Sequence, residues 1–530
     1  MQQTCNGRRN GLSVWIGTLV LLTASCGLRA VAQGPKPSGP ASGDQTNSTP
    51  MTKEQAKELF KSVDEILGFV SEDTKLPIVH PVKRKLISRS EVNKYLEKKF
   101  AEDEGARKLE HAEIVLKKFG LLDRDFHLRP FLVALLTEQI AGFYDNKTKT
   151  ISLLDWIQPE EQKPVLAHEL THALQDQRVD LTKWSDVEEK GIAKTMEEDN
   201  RHLQTDEAET ARSAVAEGQA MVTYIDYTLR PAGKSLVDAP ELAARLKDSV
   251  ANSSGSPVLS RAPLLLQRSL LFPYGDGLSF EQAVLVKGGK EAAFAGTLTN
   301  PPSSSFEIMT PEVYLAHTPV PVLRLPDIHP LLEAEYLPYD LGVMGELDVQ
   351  ILTELFGGQA IAEALSPAWN GGVYFAAQRK SAVTAAERES TASLALLYVS
   401  HWRNRDSAKT FMRVYSAKLA RKYAHLVRRS ADEADDSEQV YSTEEGDVLI
   451  SISGSSVFVG EGFELSLARK LRDKIAAVQS DGPLQVVGVG QAPQVGRPAG
   501  HELSLGMVQG LSSFGLMKAA IPATIYSTGH

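Results

Sequence analysis

The sequence predicts an α+β fold, on three observations. Apolar residues recur at helical spacing through most of 52–135 and again through 203–229. A hairpin pattern, Gly142 to Leu154 with a turn at Asp145-Asn146, interrupts the helices. From 346 to 480 strand and helix patterns mix, with turn residues between them. The expected layout is a mostly helical domain with a small edge sheet over 51–345, followed by a smaller C-terminal α+β module over 346–480.

The first 32 residues read as a secretory signal peptide. Arg8 and Arg9 form a basic start, Leu12 to Leu22 is an apolar core too short for a stable membrane anchor, and Ala30-Val31-Ala32 supplies a cleavage site before Gln33. The run Leu22-Thr23-Ala24-Ser25-Cys26 also resembles a bacterial lipobox, which gives a lipid anchor at Cys26 as the alternative. Either route implies export, to the periplasm or beyond the cell. Cys5 and Cys26 both lie in this leader, so the mature chain is expected to rely on core burial and not on disulfides. Cleavage removes Arg8, Arg9 and Arg29 and no acids, leaving 54 basic residues against 67 acidic ones, a net −13. So acidic a protein is a poor partner for nucleic acid or anionic lipid. No apolar run is long enough for a membrane span.

Residues 33–50, rich in Pro, Gly, Ser and Thr, read as a disordered linker. Helices follow at Lys53–Phe69, Ser90–Phe100 and Gly105–Phe119, with a short strand at Leu76–Val79. The second hairpin strand, Thr150–Leu154, is expected at a sheet edge where an extended peptide could pair with it. Residues 230–345 mix helix with Pro-rich loops. In the C-terminal module, helices at Glu346–Leu355 and Ile361–Leu365 precede strands opening at Trp369–Phe375 and Leu394–Val399. A helix at Ser407–His425, strands at Val448–Ile452 and Ser455–Val459, and a closing helix at Phe463–Val478 complete it. Residues 481–530, poor in charge and rich in small residues, read as a flexible tail.

One segment reads as chemistry: His168-Glu169-Leu170-Thr171-His172. Residues four apart on a helix stand one turn above each other, so two neutral imidazoles can reach one metal ion. Glu169, about 100° round the helix, is placed to accept a proton from water instead of ligating. Pro164 suits the first turn of that helix, and Val165, Leu166, Leu170, Ala173 and Leu174 give it a face to bury. A core helix whose histidines are satisfied by hydrogen bonds is the alternative reading.

The third ligand is the next requirement. A metzincin needs Gly and His at the third and sixth positions after His172, where this chain has Gln175 and Arg178, so that class is excluded. A later Glu is the other common solution. Glu188, Glu189, Glu197 and Glu198 lie in a heavily charged stretch with the composition of a solvated face. Glu217 is a lone carboxylate among small and apolar residues, Ser213 to Val222, and a carboxylate buried there needs a cation or strong donors. Pairing with Arg212 or Arg178 is the structural alternative. Ala214, Gly218 and Ala220 would let this helix approach the histidine helix closely. Glu217 is therefore the expected third ligand.

Together, His168 to Gln177 and Ala216-Glu217-Gly218-Gln219-Ala220 resemble the gluzincin metallopeptidases, the HExxH…E group that includes thermolysin-like enzymes. Phe272 to Gly277, Pro301 to Tyr314 and Gly345 to Trp369 further resemble an uncharacterised bacterial secreted branch of that group. The resemblance implies a zincin-like catalytic domain with Zn²⁺ on His168, His172 and Glu217 and with Glu169 as general base, acting on peptide or protein substrates.

Three departures stand out. The spacing from His172 to Glu217 is about twice that of thermolysin-like enzymes, so an insertion must loop out between the two helices. The Asp that orients the first histidine in those enzymes is Met221 here, leaving Asp206 and Asp176 as candidates. Thr310 precedes Pro311 where the branch would carry His, and losing an oxyanion-binding His would weaken turnover. His317, His329, Tyr314 and Tyr336 form the remaining pool of proton donors to the oxyanion. A catalytically degenerate binding protein, or a zinc hydrolase of non-peptide substrates, is the alternative function.

Overall fold

The structure, a computed structural model, describes residues 51–101, 103–139, 142–185, 194–251 and 258–480. The leader 1–32 with Cys5 and Cys26, the linker 33–50, Glu188, Glu189 and the tail 481–530 lie outside the described residues. The fold is α+β.

Helix α1 (Lys53–Thr74) begins at Thr52, whose Oγ1 accepts the Gln55 N–H at 3.2 Å while Gln55 Oε1 accepts the Thr52 N–H at 2.9 Å. This reciprocal box satisfies two otherwise orphaned donors. The helix runs past Phe69 because Val70 and Thr74 extend its buried stripe. No strand forms at Leu76–Val79. There the Gln177 side chain takes the N–H groups of Val79 and His80, so that backbone is satisfied by a helix side chain and not by a sheet. The strand comes later, as β1 (Lys83–Ile87).

Helices α2 (Arg89–Ala101), α3 (Asp103–Phe119) and α4 (Leu128–Gln139) lead to β2 (Phe143–Asp145) and β3 (Thr150–Leu154). The first sheet has the order β1-β3-β2, with β3 parallel to β1 and antiparallel to β2. Thr150–Leu154 is therefore the central strand and not an edge. Its successive residues Ile151 to Leu154 are all buried, which only a strand covered on both faces permits. The edges are β1 and β2.

Next come α5 (Pro159–Val179), α6 (Leu181–Ser185), α7 (Met196–Leu203), α8 (Ala208–Leu229), α9 (Glu241–Ala251) and α10 (Leu264–Glu291). The small residues of α8 serve a different neighbour from the one expected. A Cβ on Gly218 would stand 2.3 Å from the Gly277 carbonyl oxygen, and one on Gly277 would stand 2.2 Å from that of Ala214. Backbone thus meets backbone between α8 and α10, and α5 packs on another face of α8.

The second sheet is antiparallel, with the order β4-β5-β6-β10-β9-β8-β7. Its strands are β4 (Tyr336–Val343), β5 (Trp369–Arg379), β6 (Leu394–Trp402), β7 (Val427–Arg428), β8 (Glu438–Thr443), β9 (Gly446–Ser453) and β10 (Ser456–Glu461). Between and after them lie α11 (Glu346–Gly357), α12 (Gln359–Leu365), α13 (Arg405–Lys422) and α14 (Leu465–Ser480). Strand periodicity divides the core. Tyr374, Ala376, Leu396 and Tyr398 join the large cluster that includes the N-terminal helices. Val373, Phe375, Leu397 and Val399 face a second cluster with Leu471 and Ile475 of α14. Because β4 lies before residue 346 and pairs with β5, the sheet straddles the boundary expected there. Helix α13 stops short of His425: Lys422 turns inward to the buried Glu461 carboxylate at 2.6 Å, and Tyr423 is already extended.

A buried ion cluster ties this sheet to the helices. Lys118 of α3 contacts Glu445 at 2.8 Å, Thr391 Oγ1 donates to Glu445 at 2.7 Å, and Arg124 closes the other side. Among the described residues no helix is long and apolar enough to cross a membrane.

Burial would raise the Glu445 pKa, but Lys118 above all outweighs it and holds the carboxyl at about 2. A depressed folded-state pKa contributes stability above the ordinary carboxyl value of 4.5 and loses it as pH falls toward 2. Glu445→Gln is therefore expected to cost about 3 kcal/mol at pH 7, by leaving Lys118 uncompensated. The same variant should flatten the acid loss of stability. Urea unfolding of both proteins at pH 7 and pH 3 checks this: the gap between them should shrink at the lower pH.

Candidate metal centre

Helix α5 starts at Pro159, with Glu160 and Glu161 in its first turn and Arg178 in its last, charges that suit the helix dipole at both ends. Pro164 therefore sits inside the helix and not in its first turn. The start moves upstream because Pro159 already supplies the preset φ, and Pro164 costs only the bond to the carbonyl of Glu160 near the frayed end. One turn of this helix separates His168 from His172 and puts them on one face. His168 and Glu169 are 1% and 4% exposed. Glu217, on α8, is 2% exposed.

The three expected ligands converge. His168 Nε2 lies 3.1 Å from Glu217 Oε2 and 3.1 Å from His172 Nε2, and His172 Nε2 lies 3.5 Å from Glu217 Oε2. They are the one group of three or more potential metal donors found together among the described residues. The triangle can be tested against an ion. Tetrahedral ligands at 2.0–2.1 Å from a metal stand about 3.3 Å apart. The triangle here has a circumscribed radius of about 1.9 Å, so a point just off its plane lies about 2.0–2.1 Å from all three atoms. The donor set fits a tetrahedral divalent metal with a fourth position left over.

Electrostatics agree with the geometry. Burial pushes Glu217 up, but His172 and His168 outweigh it and hold the carboxyl at about 2. Burial pulls His172 down, yet Glu217 outweighs that and raises it to about 9. The centre favours positive charge. Neither arginine considered as a partner for Glu217 forms an ion pair with it: Arg212 donates to the Trp184 carbonyl and lies over its ring. Glu197 and Glu198 stand in the first turn of α7, exposed and half-buried, and belong to no such cluster.

The groups that orient the ligands differ from those expected. Asp206 accepts the Val343 N–H at 2.6 Å and pairs with His202, far from His168 in the bonding network. Asp176 binds Lys149 at 2.6 Å and the Tyr144 hydroxyl at 2.7 Å, tying the β2–β3 hairpin to α5. An amide does the orienting at His172. Gln175 Oε1 lies 2.9 Å from His172 Nδ1, and its Nε2 donates to the Ala216 carbonyl and to Gln219 Oε1. Accepting the hydrogen bond of Nδ1–H leaves Nε2 with the free lone pair. Gln175 stands three residues after His172, one turn on the same face, and that spacing was the available signal. His168 Nδ1 is buried with no hydrogen-bond partner.

Glu169 is set by the edge strand. The Tyr144 N–H donates to its Oε2 at 2.8 Å. Burial raises its pKa, opposed by His168 and His172, and the net shift is upward. Beside His172 and Glu217 opens a cavity of about 150 Å³, walled by Tyr95, Phe143 and Trp184 and by Asn146, Arg212 and Ser213.

None of the four expected oxyanion donors lines it. His329 is bound to Asp199 at 2.9 Å, the Tyr314 hydroxyl donates to the Asn300 carbonyl at 2.8 Å, His317 is exposed, and Tyr336 packs on Phe463. Comparison of the chain with protein-family models, curated proteins and solved structures returns no match.

Glu217→Ala should abolish tight Zn²⁺ binding, and Gln175→Ala should weaken it about 10- to 100-fold. Competitive titration against a zinc chelator measures both. Undiminished affinity in Glu217→Ala would remove this carboxylate from the coordination sphere.

Proposed function

We propose that this protein is an exported zinc-dependent metallopeptidase with a zincin-like, gluzincin-type catalytic centre. The observation that carries the reading is the convergence of His168 Nε2, His172 Nε2 and Glu217 Oε2 next to a buried, hydrogen-bonded Glu169, with His172 and Glu217 at the wall of a cavity. His168, His172 and Glu217 hold the ion. Zinc in that sphere supplies Lewis acidity, polarising a scissile carbonyl and making water nucleophilic near neutral pH.

The protein's own groups do the rest. The hydrogen bond from Tyr144 fixes one oxygen of Glu169 and leaves Oε1 to receive a proton from the attacking water. Burial strengthens that oxygen as a base. When the carbon–nitrogen bond breaks, Glu169 returns the proton to the departing amine. Peptides are favoured as substrates because β2 is a sheet edge and all three of its residues line the cavity. A chain laid along that edge runs beside Glu169. The signal-peptide pattern read at residues 1–32 supports an activity outside the cytoplasm, with a lipid anchor at Cys26 as the alternative to free release.

Glu169→Gln keeps the size and hydrogen-bonding shape of the base and removes its basicity. The variant is expected to bind zinc with unchanged stoichiometry and to lose at least about 100-fold of its activity on a casein-like substrate. Undiminished turnover, with zinc present, rejects the assignment.

A further inference from the structure

The helix that carries Glu217 turns a second chemical group to the same cavity. Glu209, Arg212, Ser213 and Ala216 follow the spacing of one helical stripe, and all four line it. Arg212 is the cation of that stripe. Its guanidinium carbon stands 5.3 Å from the centre of the Trp184 ring, and its Nη1 donates to the Trp184 carbonyl. Nε is buried without an acceptor. Burial lowers the Arg212 pKa to about 10.

Other arginines set a contrast. Arg84, Arg268 and Arg429 each contact a carboxylate at 2.7–3.1 Å, on Asp64, Glu354 and Asp447. Among the described residues Arg212 has none; Arg379 also lacks one but lies away from this cavity, so the place of Arg212 on the cavity wall is what sets it apart. Arg212 is half-buried, and even partial withdrawal of a guanidinium from water without a counter-ion is costly, so a cation held this way on a cavity wall is matched to an anion that arrives with the ligand. The Trp184 carbonyl and ring together hold the guanidinium at the cavity wall, which lowers the entropy lost when a carboxylate binds.

We propose that Arg212 selects the substrate: it receives a carboxylate of the peptide, so that acidic peptides bind in preference to neutral ones. This rests on the peptidase reading. The carboxylate can be an Asp or Glu side chain or the peptide's own C-terminus. The first gives an endopeptidase with acidic specificity, and the second a carboxypeptidase.

Three otherwise identical fluorogenic peptides separate these outcomes: one with a Glu side chain and an amidated end, one with Gln and a free end, one with Gln and an amidated end. Their binding is measured on full-length, zinc-loaded Glu169→Gln protein, which leaves them uncleaved, and their hydrolysis on the wild type. The expected result is that one anionic peptide binds about 10- to 100-fold more tightly than the neutral one. Which peptide wins identifies the source of the carboxylate.

Adding Arg212→Gln should bring that ratio close to one, and Arg212→Lys should keep part of it. Equal binding of all three peptides overturns the proposal without any Arg212 variant, so a misfolded variant cannot hide its failure. An equal drop for all three in Arg212→Gln also overturns it, since the residue then serves a group common to every peptide. The two readings fail separately. Hydrolysis without an acidic preference leaves the peptidase standing and removes Arg212, whereas acid-selective binding without wild-type hydrolysis keeps the anion site and removes the peptidase.

Discussion

Three lone pairs aimed at one another need positive charge between them, and the interior of this protein is built around that need. Two imidazole nitrogens stand 3.1 Å apart, and a carboxylate oxygen lies within 3.5 Å of both. A proton can satisfy one edge of the triangle; a divalent metal satisfies all three. Holding the triangle requires two helices to keep their register, although His168 and Glu217 are 49 residues apart in the chain. The register is kept from both sides of α8. Gln175 and Gln219 bridge it to α5 through their amides, and Gly218 and Gly277 seat it directly on the backbone of α10. Gln219 extends the bridge to the Ala293 and Phe294 carbonyls, so the helix that carries Glu217 is also braced by the segment that follows α10.

The hairpin completes the site by hydrogen bonding. Tyr144 uses its backbone N–H on Glu169 and its hydroxyl on Asp176, and Lys149 binds Asp176 from the far end of the turn. A strand of three residues would be weak alone. Anchored at these points, it becomes a fixed wall beside Glu169. Asp176 thus positions the strand and not a ligand.

The seven-stranded sheet stands apart from this chemistry and supplies mass to the core. One face shares the large hydrophobic cluster with the helices, and the Lys118–Glu445 pair fixes α3 against the loop between β8 and β9. Buried ion pairs are poor sources of net stability but penalise any arrangement that separates them. Lys118 and Lys422, each buried on its own carboxylate, give the sheet one favoured seat on the helices.

How much of this was legible follows from the range of each interaction. The HExxH spacing fixed the two histidines and Glu169 because a helix converts four residues along the chain into one turn. Glu217 was legible because a lone carboxylate among small residues has few stable fates. The hairpin strand Thr150–Leu154 and strands β5, β6, β9 and β10 were readable as short apolar runs bounded by turn residues, though β4, β7 and β8 were not. What tertiary structure alone decided was partnership. It set β3 in the centre of its sheet, sent Gly218 to α10, gave the orienting role at His172 to Gln175 and left Arg212 facing the cavity. Local spacing is written in the chain. Which distant surface a side chain meets depends on how whole elements pack, and no short pattern of residues carries that information.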